Sequence, residues 1–253
     1  MSLAEVYDRR YSGNYRQDLS GYEVARWKAV EHFVTRVTNL SGAKRVMDYG
    51  AGSGLHVDLW ERIFPDAELH FCDISSVGIE KLKTSFPKYE EHCSVIQDNR
   101  ADASDQEFDV VVSIEVMEHV EDLTAYLTDV CRLLKPGGHF VWTTPCSNEL
   151  SIEDVYAKMT GTIDPTAEGY RRWRWEEPTH IRRMKSGEAE QRLRDVGFTN
   201  VDFRFRAHLF SFLVSALPHR WLRRAGQPLM YLDYSLFRRL RNGASMIGVA
   251  RKC

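Results

Sequence analysis

The feature that most constrains this chain is the nine-residue segment 46–54, which reads V-M-D-Y-G-A-G-S-G. A short apolar run ends in Asp48, and three glycines then alternate with small residues just before a helical pattern begins. This order predicts a strand, a tight turn and a helix N-terminus, the place where nucleotide-like ligands bind in doubly wound α/β sheets. Glycine lets the backbone of such a turn approach a ligand closely. An ordinary strand-to-helix turn is the alternative, because the glycines alone do not identify a ligand.

Apolar runs and helical patterns alternate along the rest of the chain. This alternation predicts a doubly wound, Rossmann-like α/β fold in which right-handed crossovers join parallel strands, with a helical insertion before the final strand. The predicted strands are 45–49, 68–72, 93–97, 108–114, 139–144, 201–205 and 245–250, and the predicted helices are 24–40, 55–63, 123–134 and 186–196.

Asp73 ends the second predicted strand, 19 residues after Gly54. A carboxylate at that point is placed to accept hydrogen bonds from the two hydroxyls of a ribose. The alternative is that Asp73 caps the helix predicted after Ser75. Before the first predicted helix, Tyr7, Tyr11 and Tyr15 belong to a segment that forms either a lid over a ligand or a surface arm.

The composition, with 43% hydrophobic and 28% charged residues, is typical of a soluble globular protein and not of a disordered or membrane-spanning one. The longest apolar stretch, near residues 209–217, is too short to cross a bilayer. The five cysteines are scattered and form no C-x-x-C pair, so we expect buried thiols in a reducing, cytoplasmic environment.

Basic charge is concentrated in residues 204–241, which contain eight arginines and one acidic residue, Asp233. The segment therefore carries a net charge of +7 in a chain whose formal net charge is −2. Three interpretations remain open: a solvated helical pair, a peripheral contact with an anionic membrane that leads to a lipid-linked substrate, or a surface for nucleic acid. Nucleic acid ranks last although Trp173, Trp175 and Trp221 could stack on bases, because no known RNA-binding module is present.

Four motifs in this order resemble those of class I S-adenosylmethionine-dependent methyltransferases. They are V-M-D-Y-G-A-G-S-G, the acid of H-F-C-D-I-S, F-D-V-V-V-S-I-E-V-M-E-H-V, and L-L-K-P-G-G-H-F, within roughly residues 20 to 205. The resemblance implies a seven-stranded sheet whose last strand is antiparallel, and S-adenosylmethionine as cofactor, with S-adenosylhomocysteine as product. The residues that it implies for cofactor binding are Asp48, Gly50, Ala51, Gly52, Asp73, Ile74, Asp98, Asn99 and Glu115.

The resemblance also implies a single domain, 1–253, whose segments have different roles. It comprises an N-terminal lid or helix at 1–40, a cofactor-binding core at 41–146, and substrate-side insertions at 147–185 and 208–243. We expect in-line transfer of a methyl group to the oxygen of a small or lipid-linked hydroxylated substrate, catalysed mainly by positioning. His119, with Glu118 beside it, is the candidate general base.

The segment E-V-M-E-H resembles the metal-binding segment of ubiquinone-pathway O-methyltransferases and small-RNA 2′-O-methyltransferases. The resemblance implies that Glu115, Glu118, His119 and a downstream His180 hold Mg²⁺ or Mn²⁺. If the segment is helical, its two glutamates and its histidine share one face. The alternative is a histidine that caps a loop or touches substrate without a metal. An RNA 2′-O-methyltransferase and a non-catalytic cofactor-binding protein of the same fold are the rival functions.

Overall fold

A computed structural model describes residues 2–13, 15, 19–148, 150–163 and 179–253. Trp173 and Trp175, proposed above as stacking residues, lie outside these ranges. The seven strands are β1 (Arg45–Tyr49), β2 (Glu68–Asp73), β3 (Cys93–Val95), β4 (Phe108–Ile114), β5 (Leu134–Pro145), β6 (Phe198–Arg206) and β7 (Ser245–Lys252).

The strands form one sheet in the order β3-β2-β1-β4-β5-β7-β6. Strands β1 to β5 pair in parallel, whereas β7 is antiparallel to both β5 and β6. The structure therefore confirms the doubly wound α/β fold with an antiparallel final strand. The order reverses between β1 and β4, which is the switch point where open α/β sheets bind ligands.

Helices flank the sheet and also lie within residues 152–160 and 209–237. They are α1 (Leu3–Ser12), α2 (Gly21–His32), α3 (Val57–Ile63), α4 (Ser76–Ser85), α5 (Leu123–Leu133), α6 (Ile152–Thr160), α7 (Ser186–Asp195), α8 (Leu209–Ser215), α9 (Arg220–Ala225) and α10 (Gln227–Phe237). None of the helices in the described ranges has both the length and the apolarity that crossing a bilayer requires.

The core lies on both faces of the sheet. Along β4, Val111 packs into one apolar cluster together with Trp142, while Val110 and Val112 pack into the other with Trp60. Side chains of a strand alternate between faces, so a continuous run of valines is what a strand covered on both sides requires.

Local signals explain three departures from the predicted elements. Helix α2 begins at Gly21 because Ser20 and Glu23 form a capping box, and a π-helical turn, Phe33–Val37, ends it before residue 40. A similar capping box of Ser2 and Glu5 starts α1, which the sequence interpretation did not identify as a helix. The residues 135–138, expected to precede the fifth strand, lie within β5, where the pairing register shifts.

The arginine-rich insertion consists of α8, α9 and α10. Helix α10 packs against α2 and α8, and α9 also contacts α2. A Cβ on Gly21 would lie 2.7 Å from the backbone oxygen of Arg223, so glycine is what lets α2 and α9 approach this closely. The insertion is therefore joined to the core through α2 and, by way of α10, through β6.

Candidate active site

A cavity of about 290 Å³ opens at the carboxyl ends of β1, β2 and β4. It lies where the switch-point rule places a ligand in this sheet order. Its described lining includes acidic residues but no lysine or arginine. Predicted cofactor residues that line it are Gly50, Ala51, Asp73, Ile74, Asn99 and Glu115, and the candidate base His119 lines it too.

The glycine turn is anchored to the neighbouring strand. The backbone N–H groups of Gly50 and Ala51 donate to the carbonyl of Cys72, at 2.8 and 3.0 Å. Gly50 has φ +92°, and a Cβ there would overlap the Val116 side chain. Gly52 has φ +55°, and a Cβ there would overlap the hydroxyl of Tyr11. Both positions therefore need glycine, for conformation and for space.

Asp48 lies beneath this turn and is not among the residues that line the cavity. One of its carboxyl oxygens accepts a hydrogen bond from Trp60 Nε1 at 2.6 Å, while Oδ1 finds no partner among the described residues. Burial raises the pKa of Asp48 to about 7, against the effect of that hydrogen bond. Asp48 is therefore a buried carboxyl two residues before Gly50 and not a described part of the cavity lining.

Asp73 lies at the end of β2 with its carboxylate fixed by backbone donors. Gly52 N–H donates to Oδ2 and Ser75 N–H to Oδ1, both at 2.8 Å. Burial raises the pKa of Asp73 to about 6 although these hydrogen bonds oppose the shift. The cap of α4 is the hydroxyl of Ser75, which accepts from Gly78 N–H, so the alternative role of Asp73 as the helix cap is wrong.

Asp98 and Asn99 both adopt left-handed backbone conformations, with φ of 48° and 58°. Asn99 lines the cavity, whereas Asp98 is not among its described lining residues. Of the two candidates for an adenine contact, Asn99 is thus the one that the structure brings to the site.

Glu115 departs from the predicted geometry. The segment from Glu115 to Val120 is a loop, and Glu115 itself has φ 55°, so the condition for a shared helix face, that the segment be helical, is not met. The Glu115 carboxylate accepts hydrogen bonds from Arg26 Nη2 at 3.1 Å and Thr143 Oγ1 at 2.8 Å. Arg26 comes from α2, and no local pattern in the sequence signalled this partner.

Glu118, His119 and His180 form a compact cluster in which one ligating atom from each lies within 4.8 Å of the others. Glu115 is not part of that group. Oε1 of the fully buried Glu118 has no hydrogen-bond partner among the described residues and lies 3.9 Å from His119 Nε2. Burial, and then the nearby Glu115 carboxylate, raise the pKa of Glu118 to about 7.

The tautomer of His119 follows from its backbone partner. Its Nδ1 lies 3.0 Å from the carbonyl oxygen of Thr179, and because a carbonyl only accepts, Nδ1 carries the proton of the neutral ring. Nε2 is then the basic nitrogen of His119. The ring lies edge-on to those of His180 and Tyr7, with centroids at 4.6 and 5.8 Å.

Helix α1 covers the cavity, and Tyr7, Tyr11 and Tyr15 contribute to its lining. Asp8 fastens α1 to the start of α4 by accepting hydrogen bonds from Ser75 Oγ at 2.6 Å and Val77 N–H at 3.1 Å. Of the two interpretations of this segment, the structure thus brings its tyrosines to the ligand site. The sequence interpretation missed Asp8, although the capping box at Ser2 could have revealed the helix that carries it.

Comparison with known proteins identifies the family. A family model described as "Methyltransferase domain" matches residues 22–202. The chain belongs to this family. The match begins in α2 and ends in β6, so it contains the glycine turn, Asp73 and the Glu118–His119 pair.

The names of individual relatives of this chain specify different methyl-acceptor atoms. A ubiquinone/menaquinone biosynthesis C-methyltransferase from Desulfotalea psychrophila is 31% identical over 47% of this chain and 48% of its own length. A ubiquinone biosynthesis O-methyltransferase from Alkalilimnicola ehrlichii is 30% identical over 40% and 41%, respectively. The matches thus span less than half the length of these curated relatives.

One solved structure shows the shared fold. Phosphoethanolamine N-methyltransferase 2 of Haemonchus contortus, in complex with phosphomonomethylethanolamine and S-adenosylhomocysteine, aligns with a TM-score of 0.64 at 14% identity. The alignment covers 100% of this chain and 60% of that one. The names of the two sequence relatives specify carbon and oxygen, so membership of the family leaves the acceptor atom to be argued from the site.

Proposed function

We propose that this chain transfers the methyl group of S-adenosylmethionine to a hydroxyl oxygen of a small or lipid-linked acceptor. The observation that carries the proposal is the charge of the cavity, whose described lining has Asp73, Glu121 and the Arg26-paired Glu115 but no lysine or arginine. S-adenosylmethionine has a sulfonium, an ammonium and a carboxylate, so it is a net cation, and it has no phosphates. Such a lining suits it and would repel the pyrophosphate of a dinucleotide.

The lining residues suggest how the donor lies in the cavity. Asp73, held by Gly52 and Ser75, would accept hydrogen bonds from the ribose hydroxyls, and Asn99 would face the adenine. The turn at Gly50 and the region of Glu115 would then receive the methionine end. This orientation brings the methyl group toward the part of the cavity lined by His119.

The chemistry expected of the site is in-line displacement of the sulfonium by an acceptor oxygen. The methyl carbon forms its new bond to oxygen as its bond to sulfur breaks, and the sulfur leaves as the neutral thioether of S-adenosylhomocysteine. Nε2 of His119 would take the hydroxyl proton, because Thr179 keeps the proton of the neutral ring on Nδ1. Glu118, close to Nε2, would stabilise the resulting imidazolium.

The Glu118–His119–His180 cluster also fits a divalent cation, which is a second candidate use of the same residues. Glu118 Oε1 is a buried carboxylate oxygen without a described partner, and two imidazoles lie close to it. A cation bound there would lower the pKa of an acceptor hydroxyl. Two nitrogen donors and one carboxylate suit Mn²⁺ better than Mg²⁺, which prefers oxygen ligands.

A methyl-transfer assay tests the proposal. The protein is incubated with S-adenosylmethionine labelled in its methyl group and with paired aromatic amphiphiles that differ only by one hydroxyl. We expect label in the hydroxylated member alone, and a loss of roughly 10²–10⁴-fold in kcat for His119→Gln, the usual contribution of a general base. His139→Gln, on β5 and outside the cavity lining, is the matched control.

Two further results of this assay decide between the catalytic arrangements. Activity that survives exhaustive chelation would exclude the metal and leave His119 as the base. Activity lost on chelation and restored by Mn²⁺ would assign the cluster to a cation. Transfer of label to the member that lacks the hydroxyl would contradict O-methylation.

A further inference from the structure

In the part of the chain that the structure describes, the large exposed apolar side chains lie in the two insertions. Among the described residues, eleven large hydrophobic side chains are exposed, and all of them lie between residues 150 and 240. They are Leu150, Val155, Tyr156, Met159, Leu209, Leu213, Trp221, Leu229, Leu232, Leu236 and Leu240. An exposed apolar concentration of this kind indicates an interaction surface.

Helix α10 shows the pattern most clearly, because both of its faces are apolar. Its inner face buries Met230 and Tyr234. Its outer face exposes Leu229, Leu232 and Leu236, which follow one another at intervals of three and four residues. Leu236 remains 60% exposed, and Trp221 on the adjoining α9 remains 68% exposed. A helix with leucines along its solvent side is unpartnered in the isolated protein.

The exposed charge of residues 204–241 is of one sign. Exposed arginines lie between and beside the apolar residues: Arg220, Arg223, Arg224, Arg239 and Arg241. The single acid of residues 204–241, Asp233, is fully buried. Its carboxylate accepts from the N–H groups of His208, Leu209 and Phe210 at the start of α8, so no acidic side chain of this segment reaches the surface beside the arginines.

We infer that α8, α9 and α10, with the exposed side of α6, dock on the surface of an anionic lipid bilayer. Leucines and a tryptophan would enter the boundary between headgroups and acyl chains, while the arginines contact lipid phosphates. The exposed leucines and the exposed arginines have to be explained together. A solvated helical pair would account for the arginines but not for a row of exposed leucines. An ordinary protein interface would account for the leucines, but such interfaces have few charged residues at their core.

The docking face adjoins the proposed site through α2. Gly21, at the start of α2, lies against the backbone of α9, and Arg26 of the same helix holds Glu115 at the cavity. A lipid-linked acceptor held at the bilayer would thus have one helix, α2, between it and the proposed site. This last step rests on the proposed function, whereas the docking itself does not.

Sedimentation of the full chain with vesicles tests the inference. One set of vesicles is phosphatidylcholine alone, and the other contains an equal amount of phosphatidylglycerol. We expect pelleting with the anionic set only. The triple variant Arg220→Gln, Arg224→Gln, Arg239→Gln should lower the partition coefficient by about a hundredfold, since each basic residue near an anionic leaflet contributes about fivefold. The double variant Leu232→Ser, Leu236→Ser should lower it by about tenfold.

The matched control is Arg100→Gln, Arg192→Gln, Arg194→Gln, which changes the net charge equally at exposed positions outside the insertions and should pellet as the wild type does. Absence of pelleting with anionic vesicles, or equal loss in the control, would overturn the inference. Leucine variants that pellet like wild type would also overturn it, because binding would then be electrostatic only. The readout is independent of methyl transfer, so failure of either proposal is recognised separately.

Discussion

At the scale of single residues, the site keeps three carboxyl groups whose burial disfavours their charge. Burial raises the pKa of Asp48 and Glu118 to about 7 and that of Asp73 to about 6. A cationic ligand would offset this cost by favouring their ionised forms. Of the three, Asp73 is the one among the described lining residues of the cavity, so a cationic ligand there would act most directly on Asp73.

The effect of burial on Asp48 can be measured as a pH dependence of the free energy of unfolding. Between about pH 4 and 7 the folded state keeps the proton of Asp48 while the unfolded state releases it, so the free energy of unfolding falls as pH rises, by about 1.4 kcal/mol per unit for this group. Above about pH 7 the contribution is constant. In Asp48→Asn, where the side-chain oxygen can still accept from Trp60, this part of the slope should vanish.

Urea denaturation between about pH 5 and 8 measures the difference. Asp66→Asn, at a highly exposed acid, should retain the wild-type slope. Parallel pH dependences for Asp48→Asn and the wild type would show that the Asp48 carboxyl is not held protonated in the fold.

At the scale of elements, most strands were predictable because their signals are local. The bounds of β1 and β4 match the prediction, since an apolar run bounded by polar residues fixes a buried strand. Partners such as Arg26 for Glu115 were not predictable, because 89 positions separate them and only the packing of α2 brings them together. The helical geometry considered for residues 115–119 is not adopted, because Glu115 takes a left-handed conformation that the sequence does not reveal.

The attachment of α1 to α4 can be tested by changing Asp8. Asp8 accepts from Ser75 and Val77 at the start of α4, and α1 brings Tyr7 and Tyr11 over the cavity. In Asp8→Ala, the loss of these charged hydrogen bonds should loosen α1 and weaken S-adenosylmethionine affinity by about tenfold or more. Global stability should change less, because α1 lies outside the two main core clusters.

Hydrogen exchange over residues 2–13, together with calorimetric titration, would report both effects. The control is Arg9→Ala, an exposed position on the same helix. If Asp8→Ala binds the donor as tightly as Arg9→Ala does, α1 is not part of the closed site.

At the scale of the whole molecule, one part of the sequence indicates the methyl donor. The other part, the two insertions, indicates little about the methyl acceptor. The motifs from the glycine turn to His119 each follow a strand of the parallel sheet. Because the carboxyl ends of these strands lie side by side, the order of the motifs along the chain is enough to indicate one cavity. The two insertions lack such motifs, and only the structure shows which of their leucines and arginines are exposed. The acceptor is accordingly the part of the function that the sequence specifies least.

Calorimetric titration measures whether the acidic cavity binds S-adenosylmethionine. The wild type should bind both S-adenosylmethionine and S-adenosylhomocysteine, with dissociation constants on the order of micromolar. Asp73→Ala should weaken both by at least about tenfold through lost ribose hydrogen bonds, while Asp66→Ala should bind like the wild type. Binding of neither ligand, or equal binding by Asp73→Ala in a folded protein, would contradict the account.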